Sequence, residues 1–85
     1  MTLEQVQALK VGDMVRYHDS LSDMETIEIV ISEWGNRRYS KLHLPSVTLK
    51  TVVVINEGDD DDDKANIGDE GWINKHNHGN FEKVA

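Results

Sequence analysis

The stretch Glu25-Thr26-Ile27-Glu28-Ile29-Val30-Ile31-Ser32-Glu33-Trp34 decides the fold class. Ile27, Ile29 and Ile31 fall on one side, and Thr26, Glu28, Val30 and Ser32 on the other. Period two in β-branched residues marks a strand. Turning the isoleucines inward makes them core and leaves Trp34 on the outward face. Next along the chain, Gly35-Asn36 stands between Trp34 and Arg37-Arg38-Tyr39 and reads as a two-residue hairpin turn. The return strand then runs over 38–44, and Pro45 ends it.

Working outward, Thr2-Leu3-Glu4-Gln5 reads as a capping box opening a short helix over Leu3–Leu9, with Leu3, Val6 and Leu9 on one face. Lys10-Val11-Gly12-Asp13 ends the helix and turns into a first strand, Met14–His18. Downstream, Leu49–Asn56 is a strand centred on Val52-Val53-Val54-Ile55. Gly71–Asn74 and Asn80–Val84 read as a final hairpin whose turn includes His76-Asn77-His78-Gly79. The expected core is Val11, Val15, Ile27, Ile29, Ile31, Leu42, Leu44, Val52, Val54, Trp72 and Phe81. A short N-terminal helix with five or six strands makes a mainly β fold, a small antiparallel barrel or bent sheet.

The step Val11-Gly12-Asp13-Met14-Val15 into the first strand resembles the opening of SH3-like and KOW-like barrels. Ile67-Gly68-Asp69-Glu70-Gly71-Trp72-Ile73 resembles a second such step near the end. The resemblance covers these two stretches and implies an SH3-like fold. It implies no particular function, because such folds serve many.

At 85 residues the chain is expected to be one domain, 1–85. A chain of this length buries about 60–65% of its unfolded surface, so a deep catalytic cleft would consume scarce core. No P-loop or GxGxxG motif is present, and no catalytic triad can be argued from spacing. The expectation is therefore a non-enzymatic protein with no cofactor. With no cysteine, disulfides and thiolate metal sites are excluded. No apolar run approaches the roughly 20 residues of a membrane span, and the N-terminus lacks the pattern of a signal peptide. The expected setting is soluble and cytoplasmic.

Charge is the most distinctive feature. The segment 57–70 carries Glu57, Asp59, Asp60, Asp61, Asp62, Asp63, Asp69 and Glu70 against Lys64 alone. It thus holds all of the net charge of −7, and the rest of the chain is balanced. Such a run is either a solvated, flexible connection or a docking site for a basic partner. Asp59, Asp61, Asp63 and Glu70 also match positions 1, 3, 5 and 12 of a calcium loop. The turn glycine of that loop is replaced by Lys64, and no helices flank it, so a metal site is not expected. His76 and His78 share a strand face but lack the third and fourth ligands of a zinc site, and read as a polar turn.

Arg37, Arg38 and Lys41 form the one basic cluster, flanked by Trp34 and Tyr39. Trp34 beside arginines is a candidate anchor for a protein partner. Three cations on an acidic chain are few for nucleic acid, which is not expected as a partner. The reading is a small interaction module that binds a basic protein surface through Asp59, Asp60, Asp61, Asp62 and Asp63, with Trp34, Arg37, Arg38 and Tyr39 as a second contact. The alternative is an acidic nucleic-acid mimic, which resembles the inhibitors that phages and mobile elements direct against host nucleases, polymerases or defence complexes. That alternative needs Glu25, Glu28, Glu33 and Glu57 in line with the loop.

Overall fold

The computed structural model describes residues 1–36 and 44–84. Thr2 caps the helix α1 (Leu3–Gln7) as the sequence predicts: the Gln5 amide donates to Thr2 Oγ1 at 3.2 Å, and Gln5 Oε1 accepts from the Thr2 amide at 2.8 Å. Five strands follow: β1 (Met14–Asp19), β2 (Met24–Asn36), β3 (Ser46–Asn56), β4 (Glu70–Ile73) and β5 (Phe81–Lys83). A 3-10 turn, His78–Asn80, leads directly into β5. The strands form one antiparallel sheet in the order β4-β3-β2-β1-β5. The fold is therefore mainly β, a five-strand sheet with a short N-terminal helix.

Two predicted connections are corrected. Asn36 pairs with Ser46, so Gly35-Asn36 belongs to β2 and is not a two-residue turn. Gly35, at φ 113°, sits instead at a register shift between Ser32 and Asn36, where a strand glycine commonly marks an irregularity. The predicted return strand lies mostly outside the described residues. The final hairpin does not form either. β4 pairs with β3 at one edge of the sheet and β5 pairs with β1 at the other, so each covers an edge that would otherwise expose unpaired backbone.

The third correction is one of side. Val30, at 1% exposure, faces the core, while Ile31 is exposed at 37%. Ile27 and Ile29 are only half-buried. Alternation fixes the period of a strand but not which side is wet, and a shift of one residue exchanges the two faces. The inner side is set by Val15 and Leu49, which lie opposite Glu28 and Val30 on the neighbouring strands. The same exchange turns Trp34 inward, where it packs partly against the core. In β4 it makes Ile73 the buried residue and leaves Trp72 exposed. Val11 is exposed in the turn before β1, and Leu44, Val52 and Val54 are half-buried; Leu42 lies outside the described residues.

The core is Val6, Leu9, Val15, Val30, Val47, Leu49, Ile73 and Phe81. Val15 and Phe81 are where the sequence places them. Burial of an aliphatic side chain of this kind contributes about 1.5–3 kcal/mol. Val6 and Leu9, from the helix and the turn after it, close one end of the sheet's inner face. The backbone of Gly12 and Asp13 then ties that end to Val30 through bonds of 2.9 and 2.8 Å. No described helix is long and apolar enough to cross a membrane.

Candidate functional site

Moving along β1 and β2 away from the helix, the inner face changes from apolar to polar. Val15 gives way to Tyr17, and Val30 to Glu28 and Thr26. These inward positions follow from the period of two, so the acid of an Ile-Glu-Ile step is carried into the sheet by its own backbone. Tyr17 lies opposite both Thr26 and Phe81, and its ring packs on that of Phe81 at 5.0 Å between centroids, tilted by 40°.

The acidic loop is folded against this polar end. At its start the Asp59 amide donates to the Ser22 carbonyl at 2.7 Å, and Gly58 donates to Asn56 Oδ1 at 3.0 Å. Gly58 has φ +98°, and a Cβ there would stand 3.3 Å from Met24 Cβ, so this crossing needs glycine. Within the loop Lys64 pairs with Glu57 at 3.0 Å and Asp61 at 3.6 Å, and the Ala65 amide donates to the Glu57 carbonyl. Glu57 holds the Lys64 ammonium above its ordinary range. At the loop's end Gly68 donates to Thr51 O, and the Thr51 amide to Asp69 O.

Two adjoining cavities result, of about 320 and 150 Å³, and both are lined by Tyr17, Glu28 and Asp63. Leu49, Trp72 and Phe81 complete the larger; Thr26, Thr51 and Asp69 border the smaller. Glu28 is 9% exposed, and its Oε2 has no hydrogen-bond partner; neither has Oγ1 of Thr26, which is 2% exposed. Burial pushes the Glu28 carboxyl above the ordinary glutamate value; the Thr51 hydroxyl opposes this, the Asp69 carboxylate adds to it, and the neighbouring Thr26 hydroxyl also opposes it. Burial likewise raises the Tyr17 hydroxyl, helped by the charges of Asp19, Asp63 and Glu28. Asp19, at the rim, is held low chiefly by the Leu21 amide, which donates to it at 2.9 Å.

A larger hollow of about 460 Å³, bordered by Arg16, His18, Glu25 and Glu82, offers less. Its charges are already matched, because Arg16 pairs with both Glu25 and Glu82.

No protein-family model, curated protein or solved structure matches this chain. The site therefore rests on its own chemistry.

Of the described residues proposed from sequence, Asp63 alone lines these cavities. Asp59, Asp60, Asp61 and Asp62 are exposed on the loop. Trp34 lies roughly ten residues further along β2 from Met24, on the order of 30 Å of strand away, at the helix end. Arg37, Arg38 and Tyr39 lie outside the described residues. The described histidines do not converge on one site. His18 meets Asp23 at 3.4 Å, and His78 Nδ1 lies 2.8 Å from the Met1 carbonyl. The exposed His76 uses its backbone amide to reach Asn74 Oδ1. Among the described residues no three His, Asp or Glu side chains form a metal site.

Tyr17 is the residue that sequence reasoning missed, and Glu28 entered it only as an outward acid of the mimic alternative. The signal was present in Thr26-Ile27-Glu28-Ile29-Val30. Placing Val30 inward puts Glu28 inward with it.

Proposed function

We propose that this chain is a non-enzymatic protein-interaction module that docks a basic surface of another protein at the acidic-loop end of its sheet. The observation that carries the reading is the anchoring of the loop. It is tied to Ser22 at its start and to Thr51 at its end, and it brings Asp63 beside Tyr17 and Glu28. Carboxylates gathered at one end of a balanced body form a local negative field that steers a basic partner. The same strand order also supports an SH3-like reading of the sheet, since β5 returns to β1 immediately after a 3-10 turn.

The mimic reading draws no such support. Glu25 is engaged by Arg16, Glu28 is buried, and Glu33 sits near Lys10 at 3.7 Å, at the other end of β2. These acids do not continue the line of the loop.

The test is capture of partners from the native host, followed by binary binding of each purified partner at low and high salt. The comparison protein carries Asp59 to Asp63 changed to Ser. The reading expects a partner with a basic docking surface whose binding weakens with salt and falls at least tenfold in the serine variant. A purified partner bound equally by both proteins would overturn it.

A further inference from the structure

We infer that the paired cavities around Glu28 form a recognition pocket for a single cationic side chain, an arginine guanidinium supplied by the basic partner. This rests on the docking reading above and adds the group that is recognised. Three observations carry it. Glu28 is nine-tenths buried and lines both cavities, yet its Oε2 makes no well-formed hydrogen bond; nor does Oγ1 of Thr26, the buried hydroxyl that acts on the same carboxyl. Buried polar atoms in folded proteins are nearly always satisfied, and the single proton of the Thr26 hydroxyl is the only donor this pair holds, so a buried carboxylate bordering a cavity points to a further, charged donor. The second observation is the wall. Tyr17 and Phe81 form a packed aromatic pair, and Trp72 lines the same cavity. The third is the field: Asp19, Asp63 and Asp69 stand around the smaller cavity, and Lys64, the one cation among the described residues at its border, is already paired with Glu57 and Asp61.

An arginine fits these requirements better than a lysine. Its guanidinium is planar, stacks on aromatic faces, and presents several N–H donors at once. One edge reaches the Glu28 carboxylate and the Thr26 hydroxyl while the plane lies along the Tyr17–Phe81 wall. A neutral side chain of the same shape satisfies neither the buried charge nor the surrounding acids. Glu28 Oε2 is closed to water in the unliganded fold, so entry requires a wall to yield. Asp63, Lys64 and Ala65 form a wall carried on a loop, and loops open at lower cost than sheet.

The test uses short, blocked, otherwise uncharged peptides with one central residue, either arginine, lysine or citrulline. Each is titrated into the full chain and followed by amide and side-chain NMR shifts. The inference expects the arginine peptide to shift Tyr17, Glu28 and Thr26, to bind at least tenfold more tightly than the citrulline peptide, and to lose that preference in Glu28→Gln. A Tyr17→Leu variant separately weakens arginine binding if the aromatic wall contributes. Equal binding of arginine and citrulline overturns the pocket. So do shifts confined to Asp59–Asp62, or a response to calcium with none to the arginine peptide. With a purified partner in hand the two readings separate. Binding lost when Asp59 to Asp62 alone become Ser, with the pocket residue Asp63 kept, but untouched by Glu28→Gln sinks the pocket and spares loop docking, whereas the converse sinks loop docking alone.

Discussion

Neutralising Glu28 should make the protein more stable at neutral pH, although it removes a charged side chain from the middle of a strand. The carboxylate is 9% exposed with Oε2 unpartnered. A buried acceptor left without a donor costs about 1–3 kcal/mol, and more when it carries charge. Glu28→Gln keeps the shape and an acceptor for Thr51 while deleting the charge. We expect a gain of about 1–2 kcal/mol at pH 7, which for a domain of this size raises Tm by roughly 4–8 °C per kcal/mol. The pH dependence fixes the cause. The folded-state pKa of Glu28 is raised above its ordinary 4.5. The folded protein thus holds this proton more tightly than the unfolded chain does. Stability is fully present below pH 4.5 and is lost as pH rises through the folded value. The two proteins should therefore be equally stable near pH 4 and diverge above it. Urea unfolding of both at several pH values is the assay, and the difference between them cancels the repulsion within the loop, which they share. A Glu28→Gln variant that is less stable by the same amount at pH 4 and pH 7 would refute the reasoning, because Oε2 would then be engaged.

Further expectations follow from the same geometry. Leu49→Ala, at 1% exposure, should cost about 2–5 kcal/mol, whereas Ile55→Ala, at 54% exposure, should cost about 0.5 kcal/mol; chemical denaturation separates them, and equal losses would contradict the assigned faces. Thr2→Ala should cost about 0.5–2 kcal/mol by removing the capping box, visible as a lower urea midpoint. Gly58→Ala forces a side chain into a positive φ beside Met24 and should cost about 1–3 kcal/mol, with faster amide exchange at Asp59 as the loop loses its tie to Ser22. Tyr17 should titrate above the ordinary tyrosine value by ultraviolet difference spectroscopy, and its pKa should drop in Glu28→Gln as one neighbouring charge disappears.

Much of the fold was legible in the chain because its signals are local. Thr2 and Gln5 lie three residues apart, and their reciprocal bonds form without help from elsewhere. The alternation over 25–34 likewise marks a strand whatever its neighbours. What the sequence leaves undetermined is long-range. Whether Ile29 or Val30 faces inward depends on Val15 and Leu49 across the sheet, so hydrophobicity alone chose the wrong side. The partners of β4 and β5 depend on which edges of the sheet are open, and their nearness in sequence suggested a hairpin that the topology does not use. The candidate site suffers doubly. The acidic run was conspicuous, but Glu28 becomes notable only once the inner face is known. Tyr17 joins it only through cross-strand register.

The most direct measurement is the pKa of Glu28 itself, followed through its side-chain carboxyl carbon by NMR, in the free protein and with the arginine peptide at saturation. A buried carboxylate awaiting a cation should titrate above 4.5 when free and fall when the guanidinium is bound, since an opposite charge favours the ionised form. A free value at or below 4.5, or one that the peptide leaves unmoved, would contradict the account.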